Sequence, residues 1–156
     1  MYFVPSKFEM RLAVYEPYSR QSLPTKRYRE LLGSAICVFN SNNAFIIENI
    51  LRNDENGLYD WHPLIDFESG RLKPIVQNTI SSKCGDSIEQ LFSRLVEMRN
   101  RIIHSFQITK DEQQVLATKE RQKDGGKQFV ITEEYLLDFI KQNKMLSNEL
   151  HDLRRS

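Results

Sequence analysis

The segment from Asp86 to Phe106 constrains the fold of this chain most, because its apolar residues repeat with a helical period for about five turns. Ile88, Leu91, Phe92, Leu95, Met98, Ile102, Ile103 and Phe106 keep to one broad face. A helix with so wide an apolar face must be covered by other elements to be stable in water. Asp86-Ser87-Ile88-Glu89 in front of it has the form of a capping box, with Asp86 as N-cap and Glu89 three residues on. The pattern predicts a central core helix over 86–106.

Two further helical stretches can supply the cover. After Pro24, Thr25 is placed to cap a helix from about Lys26 to Leu51, with Tyr28, Leu31, Leu32, Ala35, Ile36, Phe39, Phe45, Ile46 and Ile50 at helical spacing. Asn40-Ser41-Asn42-Asn43 within it is a run of poor helix formers, readable as a break or helix junction or as a turn facing solvent or a cleft. A last helix begins at Thr132, with Glu133 and Glu134 favourable for its dipole and an apolar stripe through Leu136, Leu137, Phe139, Ile140, Met145, Leu146 and Leu150.

Between these lie the turn Asn53-Asp54-Glu55-Asn56-Gly57 and an aromatic loop, Leu58-Tyr59-Asp60-Trp61-His62-Pro63-Leu64, with Trp61 as a packed anchor. A short helix follows Pro74 through Ile75, Val76 and Ile80. Gln113 to Arg121 and Lys127 to Ile131 read as extended runs joined at Asp124-Gly125-Gly126, whose Asp-Gly and Gly-Gly steps favour hairpin turns. The fold class is therefore mainly α: a helical bundle with an inserted β-hairpin around 113–131. At 156 residues it is read as a single domain, 1–156.

Composition narrows the function. Formal net charge is +1, Lys and Arg (22) nearly matching Asp and Glu (21), so any grip on nucleic acid must be a local patch. Arg99, Arg101 and the basic residues between Lys119 and Lys127 are candidates for it, although a solvated charged hairpin is the commoner explanation for the latter. Cys37 and Cys84 lack the spacing of a redox or zinc motif and read as reduced, partly buried thiols. No apolar run reaches the ~18 residues of a membrane span. Pro5, Lys7 and Glu9 interrupt the N-terminal residues before signal-peptide length, so the expected location is cytoplasmic. No Gly-rich phosphate loop, paired Cys-His metal spacing or nucleophile elbow is present, and neither cofactor nor metal is expected.

Of the three histidines, His62 precedes a proline and His151 lies in a charged tail. His104 differs, because Asn100 precedes it by four residues and Arg99 by five on one predicted helix. At about 100° per residue, Asn100 and His104 share a face, while Arg99 is turned about 140° from His104. Arg99 and His104 then flank a cleft instead of touching, a geometry that a second copy of the helix across a two-fold axis would complete. Imidazole can move protons near neutral pH, and a guanidinium fork can hold two phosphate oxygens, so the pair suits RNA cleavage without a metal. Glu97 lies near enough to orient Arg99 or Arg101. The opposing reading makes Arg99 and Arg101 surface charges and His104 a cation at the helix C-terminus.

Arg99, Asn100 and His104 near the end of a core helix resemble the hallmark of the HEPN superfamily (higher eukaryotes and prokaryotes nucleotide-binding), in which Arg is followed by a polar residue, often Asn, and then by His. The resemblance implies an all-helical bundle, a homodimer with a composite site, and metal-independent RNA cleavage of the toxin or antiviral-defence type that leaves a 2′,3′-cyclic phosphate. It also implies a possible antitoxin or nucleotidyltransferase partner. Some toxins of that superfamily carry a Tyr for modification two residues after the His, where this chain has Phe106. The competing expectation is a non-catalytic HEPN-like nucleotide-binding or protein-interaction module, which would not require Arg99 and His104 to meet at one cleft.

Overall fold

The computed structural model describes residues 16–156, so the reading of the N-terminal residues as lacking a signal peptide lies outside the described part. The architecture is mainly α with a small antiparallel sheet. Helix α1 spans Lys26–Arg52, α2 Trp61–Asp66, α4 Ser87–Ile103 and α5 Glu133–Arg155. Between α2 and α4, residues 73–84 form a continuous helical run, α3, in which a π-helical turn at Gln77–Ser81 separates two short α-helical pieces. Strands β1 (Phe106–Lys110), β2 (Gln113–Lys119) and β3 (Gln128–Ile131) pair in the order β1-β2-β3.

Helix α1 starts where the sequence places it. Thr25 Oγ1 accepts the Tyr28 N–H at 3.3 Å, replacing one of the intrahelical partners that a first turn lacks. The expected break at Asn40–Asn43 is absent, and α1 runs unbroken through it. Asn42 is buried and its amide donates to the Asn143 backbone carbonyl at 2.7 Å and to Asn143 Oδ1 at 3.0 Å. A residue of low helix propensity is thus kept in the helix by a hydrogen bond to α5 in a buried setting, where leaving the amide unpaired would cost more than the propensity loss. Arg27 meets Glu133 at 2.9 Å and Arg154 meets Glu48 at 2.8 Å, start to start and end to end, so α1 and α5 lie side by side in the same direction.

The core gathers along these helices and α4. Phe39 of α1 stacks at 6.4 Å on Phe92 of α4 and at 6.0 Å on Phe139 of α5. Leu72, Val76 and Ile80 close it from the α3 side and Ile131 from the sheet. Trp61 packs against it, but at the start of a short helix instead of in the irregular loop expected there.

Several local expectations need correction. Asp86 is the N-cap of α4 but makes no side-chain cap, and Glu89 faces α3, accepting from Gln77 Nε2 at 2.8 Å; the capping box does not form because the tertiary partner takes its carboxylate. Helix α4 ends at Ile103, not Phe106. Ser105 Oγ bonds the Ile102 carbonyl at 2.6 Å, and Phe106 opens β1 opposite Ala117, so Ile103 and Phe106 are 51% and 45% exposed instead of core. The hairpin at 113–131 is present but gains β1 as a third strand through a turn in which Asp111 and Glu112 both have positive φ, at 50° and 63°. Cys37 and Cys84 are exposed instead of partly buried, and Leu137 and Met145 of the expected α5 stripe face solvent because the core is covered by Leu136, Phe139, Leu146 and Leu150.

Tyr28 joins α1 to the sheet. Its buried hydroxyl donates to the Ile131 carbonyl at 2.6 Å and accepts the Leu116 N–H at 3.2 Å, both partners belonging to one rung of the β2–β3 ladder. Tyr28→Phe removes both bonds and is expected to cost about 1–3 kcal/mol, because the two backbone groups lose a partner in a setting with little water. Urea unfolding with a lower midpoint and an unchanged slope is the expected result; an unchanged midpoint would show that the sheet does not depend on this anchor.

Candidate active site

The last two turns of α4 carry Glu97, Arg99, Asn100 and Arg101, with His104 as the C-cap residue. The helical rotation predicted from spacing holds as far as Ile103. At His104 the backbone leaves the helix, with φ −93° and ψ 26°, while its N–H still donates to the Asn100 carbonyl at 2.9 Å. His104 is exposed, whereas Arg99 and Asn100 are half-buried. No hydrogen bond, ion pair or ring contact joins the Arg99 and His104 side chains of one chain, and the departure of His104 from helical geometry sets its position apart from the straight-helix offset.

Arg99 and Arg101 have different surroundings. Arg101 sits 3.3 Å from Glu97, an ion pair without hydrogen-bond alignment at Nε, and donates through Nη1 to the Lys119 carbonyl. Glu97 also holds Arg121 at 3.2 Å, and Arg121 in turn holds Asp124 at 2.8 Å. Glu97 therefore fastens the β2–β3 turn to α4 and does not orient Arg99. Arg101 and Arg121, candidates for the basic patch, are committed to this internal network.

Arg99 has no such partner. Its guanidinium carbon lies 5.2 Å from the centre of the Phe39 ring, and its Nε is shut off from solvent with no hydrogen bond among the described residues. Burial pulls its pKa below the ordinary guanidinium value, while the charge of Glu68 opposes that shift. A guanidinium remains protonated under such a pull, so the site holds a fixed positive charge whose hydrogen-bonding capacity is largely unused. Its resting energy is a cation–π contact, worth about 0.5–2 kcal/mol.

Asn100 lines a cleft of about 320 Å³ between the 69–73 corner, α4 and the β2–β3 turn. Lys73, Arg121 and Lys123 stand around it, with Glu97 as its one carboxylate, and Phe92 and Val96 contribute its apolar surface. The Asn100 side-chain amide makes no hydrogen bond and Lys123 no ion pair among the described residues. The sequence groups Lys123 with the hairpin charges but carries no signal linking it to Lys73, some 50 positions away. A second depression, about 230 Å³, lies near Asp54, Tyr59 and Asn78 and contains no residue of the motif.

The remaining histidines take no part. His62 is exposed on α2, and the His151 ring packs 4.7 Å from that of Phe45. Among the described residues no three His, Cys, Asp or Glu side chains are grouped to hold a metal ion, and no helix is long and apolar enough to cross a membrane. Comparison with models of protein families, with curated proteins and with solved structures finds no match to this chain.

Proposed function

We propose that this chain is a metal-independent endoribonuclease of HEPN-like type, of the toxin or defence class, acting as a homodimer with Arg99, Asn100 and His104 in a composite site. The observation that carries the reading is the half-buried Arg99, desolvated over Phe39 and paired with no carboxylate among the described residues. A structural arginine in a protein interior is ordinarily neutralised, as Arg101 is by Glu97. One with no direct ion pair has most to gain from a phosphate, whose oxygens match its fork.

His104 supplies the second requirement. It is exposed between Ile103 and Phe106, two apolar side chains uncovered at the end of α4. A second copy docked on them would bury apolar surface and bring its own Arg99 and His104 to the first. At each of the two sites so formed, the His104 imidazole of one chain takes the proton of the 2′-OH as the 2′-oxygen attacks phosphorus. The imidazolium then gives that proton to the 5′-oxygen as the P–O5′ bond breaks, leaving a 2′,3′-cyclic phosphate and a 5′-hydroxyl. Arg99 holds the non-bridging oxygens as charge builds on them, and Asn100 contributes an amide to the same group. Phe106 offers no hydroxyl for modification, so an antitoxin acting there would have to work by binding.

The test is incubation of the purified protein with total and structured RNA in excess EDTA, beside the His104→Ala variant. Cleavage by the wild type alone, with cyclic-phosphate ends, is the expected result. Absence of cleavage by the wild type would favour the non-catalytic binding module, and a strict monomer by light scattering at micromolar concentration would remove the composite site.

A further inference from the structure

We propose that the cleft between the 69–73 corner, α4 and the β2–β3 turn is a binding subsite for one nucleotide, its phosphate held by Lys73 and Lys123 and its sugar or base lying against the wall at Gly70 and Val96. This assignment deepens the ribonuclease reading and rests on it only for the identity of the strand that supplies the nucleotide.

Charge is the first argument. Three cations and one carboxylate line the cleft, an excess of two positive charges in a chain whose formal net charge is +1. Glu97, the carboxylate, is already shared between Arg101 and Arg121. Lys123 has no ion pair among the described residues, and Lys73 reaches Glu89 only at 4.0 Å, an ion pair that is half solvent-exposed on the lysine side. Two ammonium groups are thus left to act on whatever enters, from opposite sides of a concave surface that concentrates their field.

Size and lining are the second. A volume of about 320 Å³ lies at the small end of the range for small-molecule sites, enough for one nucleotide and too little for two. The combination of a wall at Gly70 and Val96, cations at the rim and an unengaged amide at Asn100 matches the parts of a nucleotide, which are a weakly polar body, a phosphate and hydrogen-bonding edges. Asn100 belongs both to the cleft and to the Arg99–His104 motif, so a strand seated in the cleft continues toward Arg99.

The experiment is fluorescence anisotropy of a labelled eight-nucleotide single-stranded RNA with the full chain carrying His104→Ala, in EDTA, over a series of salt concentrations. Lys123→Glu and Lys73→Met are compared with Lys141→Glu, an exposed change of equal charge on α5. The expected result is weakening of roughly tenfold by Lys123→Glu at low salt, a smaller loss with Lys73→Met, and a salt slope shallower by about one for each phosphate that a lysine no longer neutralises. Lys141→Glu should stay within about twofold, since Lys141 is not among the residues that line the cleft. A nucleoside 5′-monophosphate added alone identifies the other source of the ligand: if it binds with the same dependence on Lys123 and RNA does not, the subsite takes free nucleotides. Binding of neither ligand, insensitivity to both cleft variants, or an equal loss with Lys141→Glu overturns the assignment. Lys123-dependent binding by a protein whose wild type cuts nothing retains the subsite and removes the catalytic reading. Cleavage with binding indifferent to Lys73 and Lys123 does the reverse.

Discussion

Co-expression of Arg99→Ala and His104→Ala chains is expected to restore RNA cleavage that neither variant shows alone. Each single variant should lose about 10²- to 10⁴-fold, the usual worth of a positioned proton-transfer group or of a donor aimed at developing negative charge. If the site is built across a two-fold axis, with Arg99 of one chain facing His104 of the other, a mixed dimer keeps one intact pair. Equal mixing yields half mixed dimers with one of two sites intact, so the recovered activity is at most roughly a quarter of wild type. If Arg99 and His104 of the same chain work together, the mixture stays as inactive as its components. The separation of the two side chains within one chain favours the first outcome, because Arg99 lies over Phe39 in the body of the bundle while His104 is exposed at the helix end.

Loss of fold is not expected to obscure the result. His104 uses only its backbone in the C-cap, donating to the Asn100 carbonyl, and that bond survives the change to Ala. Arg99 makes no hydrogen bond or ion pair among the described residues, so its removal orphans no buried carboxylate. It relieves a desolvated charge at the expense of one ring interaction, and melting temperature should move little in either direction. A large drop would identify Arg99 as a structural residue and weaken the functional reading directly.

The elements legible in the sequence are those whose signal is local and repeated. Helices α1, α4 and α5 follow from apolar periodicity, with Thr25 and Thr132 capping as their positions suggest, and the β2–β3 turn follows from Gly125 and Gly126 at positive φ. What stays hidden depends on competition. Phe106 fits the end of a helical face equally well as the entrance to a strand, and only pairing with Ala117 decides. The β1–β2 turn uses Asp111 and Glu112 at positive φ without the Gly or Asn that marks such turns. By local chemistry Asn42 is a helix breaker and Glu89 a capping partner, yet both serve distant residues, Asn143 and Gln77. At the site, the placement of Arg99 and Asn100 on the last turns of α4 is available from helical geometry, whereas the departure of the backbone from the helix at His104 is not. Arg99's lack of a partner and the meeting of Lys73 with Lys123 are not, since both depend on how separate elements pack.

Phe39 connects the core to the site, and its substitution should separate stability from positioning. Phe39→Ala empties the centre of the Phe92–Phe39–Phe139 stack and is expected to cost about 3–5 kcal/mol, lowering the melting temperature by roughly 10 °C or more. That effect alone says nothing of Arg99. Phe39→Leu is more informative, because it keeps apolar volume and should cost only about 1 kcal/mol while removing the ring beneath the guanidinium. Without the ring, the cation is deprived of an interaction of about 0.5–2 kcal/mol that holds it in place before substrate arrives, which translates to roughly a 2- to 30-fold drop in cleavage. Phe139→Leu supplies the comparison: this side chain is equally buried in the same stack but has no cation over it among the described residues. Similar melting shifts for the two Leu variants, with cleavage reduced only by Phe39→Leu, would show that the ring presents Arg99 to the phosphate. Equal effects on both properties would mean that Phe39 acts through packing alone, and Arg99 would then need another source of order.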